Sequence, residues 1–156
     1  MAPLTTIASD PPTVVLQEDT LRRDASGTVT GIVFCYINDE AFPEQAWNDF
    51  VVIVLGWWVA GIIRMLKGNS RAETMDLMDG PYTVFCEGSD RTVRCRFVDR
   101  RSNDKTVAVW SGSTVDLARE ILAAGKTALR TCHQNNWMDP DIELLEEEVN
   151  TLRKLI

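Results

Sequence analysis

Residues 50–63, FVVIVLGWWVAGII, form an uncharged run of fourteen residues that constrains the fold of this chain more than any other segment. A membrane-crossing helix needs about twenty apolar residues, whereas runs of ten to fourteen are more often buried core helices. Asp49 closes one end of the run and Arg64 the other, and no second segment of comparable length exists. Length therefore argues against a membrane span. Val51, Val52, Ile53 and Val54 are β-branched and favour a strand by local propensity. End chemistry argues for a helix instead. Pro43 suits a first helical position, Glu44 and Asp49 suit a positive N-terminus, and Arg64 and Lys67 suit the C-terminus. Gly68 stands where a left-handed closing residue is wanted. Trp47, Val51, Val54, Trp58, Ile62 and Met65 recur as one helical stripe, and Phe50, Val54, Trp57 and Gly61 make an adjoining one. A helix apolar over so much of its circumference is buried on more than one side. The expectation is a central helix packed on a sheet and touched by another helix.

Strand patterns surround it. Residues 28–37, TVTGIVFCYI, are apolar on both faces toward their end and read as an interior strand, paired through the DASG turn with a weaker strand at 14–22. After Gly68, short alternating segments separated by DGP, GSD and RRSND turns predict an antiparallel meander. In RTVRCRFVD, Val93, Cys95 and Phe97 face one way while Arg94 and Arg96 face the other. The period then becomes helical. Ser113 to Asp116 resembles a capping box ahead of a helix to about Gln134. Asp139-Pro140 opens a last helix whose stripe is Ile142, Leu145, Val149, Leu152 and Ile156. The fold class is α+β: one antiparallel β-meander sheet with the buried Trp-rich helix and the C-terminal helices packed on it. Residues 1–12 are expected to be a flexible lead-in, and 13–156 a single domain.

The 156 residues are enough to bury about 70% of the surface the unfolded chain exposes. A formal charge of -7 repels phosphate backbones and argues against nucleic acid as a partner. The start has neither the basic and apolar regions of a secretory signal nor an Arg-rich amphipathic pattern. Cys35, Cys86, Cys95 and Cys132 are widely spaced and unpaired in sequence, as in a reduced cytoplasmic protein.

Few residues carry chemistry. The only histidine, His133, lies beside Cys132, but adjacent helical residues do not face one another, and a metal site needs further ligands. Asp39, Glu40, Glu44 and Asp49 form an acidic cluster with no basic residue between them. Solvation and helix N-terminal charge explain it as well as binding does. Asp76 and Asp79 follow the central helix, and with Asp49 they offer a carboxylate set for a hydrolase or a metal-dependent enzyme. Phosphate loops, dinucleotide fingerprints and nucleophile elbows are absent from the sequence. No cofactor or metal is expected.

FPEQAWNDFVVIVLGWW, followed by MDGPYTVFC and by a helix ending in TCHQNNW, resembles small bacterial proteins built as strand, Trp-rich helix, meander and C-terminal helix. These are similar in size and acidity to immunity proteins of polymorphic or contact-dependent toxin systems. The resemblance covers residues 29–137. It implies a non-catalytic cytoplasmic protein that binds and blocks a cognate toxin, such as a basic toxin domain, without nucleic acid or membrane. It carries over no functional residue. The candidate partner-binding residues, read from charge, are Asp39, Glu40, Glu44, Asn48 and Asp49. Beside the enzyme stands a further alternative, a homodimeric scaffold joined through the stripe from Ile142 to Ile156.

Overall fold

A computed structural model describes residues 5–101 and 103–156. The chain is α+β, as expected, but it holds two sheets where one was expected. The smaller sheet is built on β3 (Val29–Ile37), which pairs with β2 (Thr13–Arg23) on one side. The Asp24 carboxylate ties their turn by accepting from the backbone N–H groups of Ser26 and Thr28. On its other side β3 meets β4 (Glu40–Phe42) and β5 (Asn48–Asp49), so 40–49 runs back along it.

The central helix α1 (Val51–Leu66) begins eight residues after Pro43, a correction to its expected start. The intervening segment does other work. The N–H of Val33 donates to the Trp47 carbonyl, Asn48 and Asp49 pair with Ile32 and Gly31, and Ala46 takes a left-handed φ of 59°. Pairing with β3 outweighs the local helix signals, as tertiary contacts routinely outweigh propensity. The helix end matches expectation: Gly68 has φ +75° and the N–H groups of Gly68 and Asn69 donate to the carbonyls of Met65 and Arg64.

The larger sheet has the order β1-β9-β8-β7-β6. Strands β6 (Ala72–Asp76), β7 (Tyr82–Gly88), β8 (Thr92–Asp99) and β9 (Lys105–Ser113) form the antiparallel meander. Strand β1 (Thr6–Ala8) adds to β9 in parallel, so part of the expected lead-in is a sheet edge; residues 1–4 of it lie outside the described residues. Val93, Cys95 and Phe97 are buried, while Arg94 is exposed and Arg96 lies over the Phe85 ring at 4.8 Å.

Helix α2 (Thr114–Gln134) runs beside β2, where Glu120 accepts from the Val14 N–H. A carboxylate thus satisfies a donor at the free edge of the smaller sheet. Helix α3 (Pro140–Leu155) starts with Asp139 accepting from the Ile142 N–H. It packs on α1 and α2 and buries Ile142, Leu145, Val149 and Leu152. The stripe proposed to join two copies is therefore spent inside the chain. One contiguous core cluster draws on both sheets and all three helices, and all four cysteines are buried free thiols. Among the described residues no helix is long and apolar enough to cross a membrane.

Candidate functional site

The turn between β6 and β7 is held from below by one carboxylate. Asp49 is fully buried. Its Oδ1 accepts from the N–H groups of Phe50 at 2.7 Å and Met78 at 3.2 Å, and its Oδ2 from Trp47 Nε1 at 2.9 Å and the Asp79 N–H at 3.3 Å. A buried carboxylate is tolerated where such donors surround it. Asp49 is thus withdrawn from the surface it was expected to share with Asp39, Glu40, Glu44 and Asn48. Trp58 Nε1 donates to the Asp76 carbonyl at 2.8 Å, fixing the end of β6 against α1. Trp47 lies over Gly80, whose φ is +76°. A Cβ there would stand 2.8 Å from the indole ring, so the turn needs glycine both for its backbone and for this contact. Edge-to-face contacts continue from Trp47 to Tyr82, from Tyr82 to Phe42 and from Phe42 to Phe97.

Above this support lies a groove. Two depressions of about 330 Å³ each share Trp57 and Asp76. One lies between α1 and β6 and is lined by Ala60, Arg64, Glu73 and Thr74; the other extends over Met78, Gly80 and Pro81 to Tyr82 and Arg100. Trp57 is 42% exposed and Met78 40%, both large apolar side chains set at one opening. Exposed aromatic and methionine side chains beside polar rims are the composition of interface anchors.

The charges of the groove are mostly matched. Arg64 meets Glu73 at 2.6 Å, and this hydrogen bond holds the Glu73 carboxyl below its ordinary range. Arg100 meets Asp104 at 3.4 Å, and Arg101, lying over Tyr82, meets Asp99 at 2.6 Å. Asp76 receives hydroxyls instead: Thr83 at 2.5 Å on Oδ1 and Thr74 at 3.2 Å on Oδ2. Among the described residues no cation lies within ion-pair distance of it. Behind Arg64, on α3, burial pushes the Glu148 carboxyl up, and its Oε2 has no hydrogen-bond partner among the described residues.

The expected partner-binding residues divide. Asp39 lies in the turn from β3 to β4, and Glu40 in β4 accepts from the Thr6 hydroxyl. Glu44 and Asn48 are exposed on the return segment, Glu44 within electrostatic reach of Arg101. Of the carboxylates in the enzyme alternative, Asp49 is buried and accepts from the Asp79 backbone N–H, while the Asp79 side chain is exposed. Yet Asp49 lines neither depression, and His133 sits on the α2 end, 3.7 Å from Glu146 of α3. Among the described residues no group of three or more His, Cys, Asp or Glu side chains is placed to hold a metal. Sequence reasoning missed Trp57, which it assigned to a buried stripe. Exposed Met78 alternates with buried Met75 and Leu77 across the end of β6, and nothing local marks it as a binding residue. Comparison of the chain with known protein families, curated proteins and solved structures gave no match.

Proposed function

We propose that this chain is a non-catalytic protein-binding module whose partner sits on the Trp57–Met78 groove. One observation carries the reading: two large apolar side chains stand exposed at the opening of a groove whose floor is braced by buried Asp49. A braced floor lowers the ordering cost of binding, and exposed Trp is the residue type most often found as an energetic anchor. The hydrolase alternative fares worse, because buried Asp49 is consumed by four structural hydrogen bonds and lines neither depression. The resemblance supplies the biological form of the proposal: a cytoplasmic immunity protein that neutralises a bacterial toxin. Of the expected binding residues, Glu44 lies within electrostatic reach of Arg101 near the Tyr82 end of the groove, and Asp39, Glu40 and Asn48 line neither depression.

Co-expression with the product of each neighbouring gene, scored for toxicity alone and together with this chain, is the test. The wild-type chain is expected to restore growth and to co-purify with one such product. Trp57→Ala weakens that complex by tenfold or more, about 1.4 kcal/mol or above, while the fold is kept. A complex indifferent to both Trp57→Ala and Met78→Ala removes the groove from the account.

A further inference from the structure

Resting on that reading of the groove, we infer that it receives a basic side chain, a lysine or arginine set beside an apolar residue of the partner. The inference starts from which charges are already spoken for. Arg64 and Glu73 neutralise one another on one wall, and Arg100 and Asp104 do so at the far rim. What is left in the middle is Asp76, half-buried and without a cation within 4 Å among the described residues, and the exposed Asp79 on the adjoining turn. The groove therefore carries an uncompensated negative charge between two exposed apolar side chains.

Asp76 is also held in place. The Thr83 hydroxyl, itself buried, donates to Oδ1 at 2.5 Å, Thr74 donates to Oδ2 at 3.2 Å, and the backbone carbonyl of Asp76 is pinned by Trp58. A carboxylate fixed by hydroxyls retains lone pairs for a further donor and needs little reordering when one arrives. Covering it with an apolar or acidic segment would bury a negative charge without a counter-charge. A lysine ammonium or arginine guanidinium meets Asp76 directly and lies against the exposed Trp57 ring, which attracts cations through its face. An apolar neighbour on the partner covers Trp57 and Met78. This complements the acidity of the whole chain, whose charge of -7 draws basic partners toward it.

The test uses three pools of immobilised twelve-residue peptides, identical except at one central position flanked by Leu, Val or Phe. That position is Lys or Arg in the first pool, Gln in the second and Glu in the third. Binding of the full chain is read by fluorescence anisotropy against the eluted peptides. The basic pool is expected to bind about tenfold more tightly than the Glu pool, a preference that shrinks as salt rises from roughly 0.05 M to 0.5 M. Asp76→Asn keeps an acceptor for Thr83 and removes the charge, so it abolishes the preference while leaving residual binding. Equal binding of the Glu pool, an unchanged preference in Asp76→Asn, or no binding in any pool overturns the basic-residue inference. Loss of binding in Trp57→Ala with no effect of Asp76→Asn keeps the groove and sinks only its basic occupant. Undiminished binding by Trp57→Ala sinks the groove itself.

Discussion

At the scale of single residues, Asp49 has the largest consequence in the molecule. The sequence presents it as one of four neighbouring acids, and only burial separates it from the rest. Replacing it by alanine leaves the Trp47 Nε1–H and three backbone N–H groups without their acceptor. Each unsatisfied buried donor costs about 1–3 kcal/mol, so Asp49→Ala is expected to destabilise by roughly 3 kcal/mol or more. Urea unfolding followed by tryptophan fluorescence reads this. Asp49→Asn, which keeps one acceptor oxygen, is expected to fall between. Glu148 behaves in the opposite sense. Burial raises its folded-state pKa, with Arg64 partly opposing and Glu147 adding to it. The folded state therefore holds the proton longer, and the carboxylate penalises folding above the ordinary Glu range but not below it. Glu148→Met is expected to raise the melting temperature at pH 7 by a small margin, since solvent screens part of the penalty on this partly buried group. The gain is expected to vanish near pH 4, and thermal melts at the two pH values check it.

At the scale of elements, helices α2 and α3 lay where sequence signals put them, because the Asp139 cap, proline at the first turn and apolar stripes are local and agree with packing, although the Ser113 side chain makes no capping hydrogen bond to α2. The Asp139 cap and the buried Ile142, Leu145, Val149 and Leu152 are direct matches. What the stripe alone left open was the identity of its neighbour, and the neighbour is α1 and α2 of the same chain. A chain ending at Met138 therefore exposes the faces of α1 and α2 that α3 covers. Burial of four such side chains contributes about 1.5–3 kcal/mol each, comparable with the whole stability of a domain this size. The truncated chain is expected to lose its cooperative far-UV melt. If it instead melts like the full chain, α3 contributes little to the core. The start of α1 was not legible for a related reason. Pro43, Glu44 and Asp49 satisfy helix rules, but the backbone of 46–49 bonds to β3, a partner ten or more residues upstream.

At the scale of the whole molecule, two sheets share one core. Phe42 of the smaller sheet packs on Tyr82 and Phe97 of the larger, and Trp58 joins α1 to the end of β6. Side chains that interlock across every element leave no boundary along which part of the chain could melt alone. Equilibrium unfolding is expected to be a single transition, with fluorescence and far-UV circular dichroism giving the same midpoint. Separated midpoints would show that the sheets unfold as distinct units. The parallel addition of β1 to β9 belongs to this scale as well, since a three-residue strand is too short to be read locally and its partner lies about a hundred residues away.

The sequence by itself determined the fold class, the identity of the central helix, the meander and both C-terminal helices. Each of these rests on periodicities and caps read within a few turns of chain. It also marked Asp39, Glu40 and Glu44 as surface acids, with Asn48 beside them. Only the tertiary structure decided that Asp49 is an internal brace, that Trp57 is open to solvent while Trp58 is buried, and that Asp76 lines the groove with no cation in ion-pair distance among the described residues. Those outcomes depend on which segments meet across long stretches of chain: β5 against β3, and β6 against α1. A residue's own neighbours in sequence do not record that.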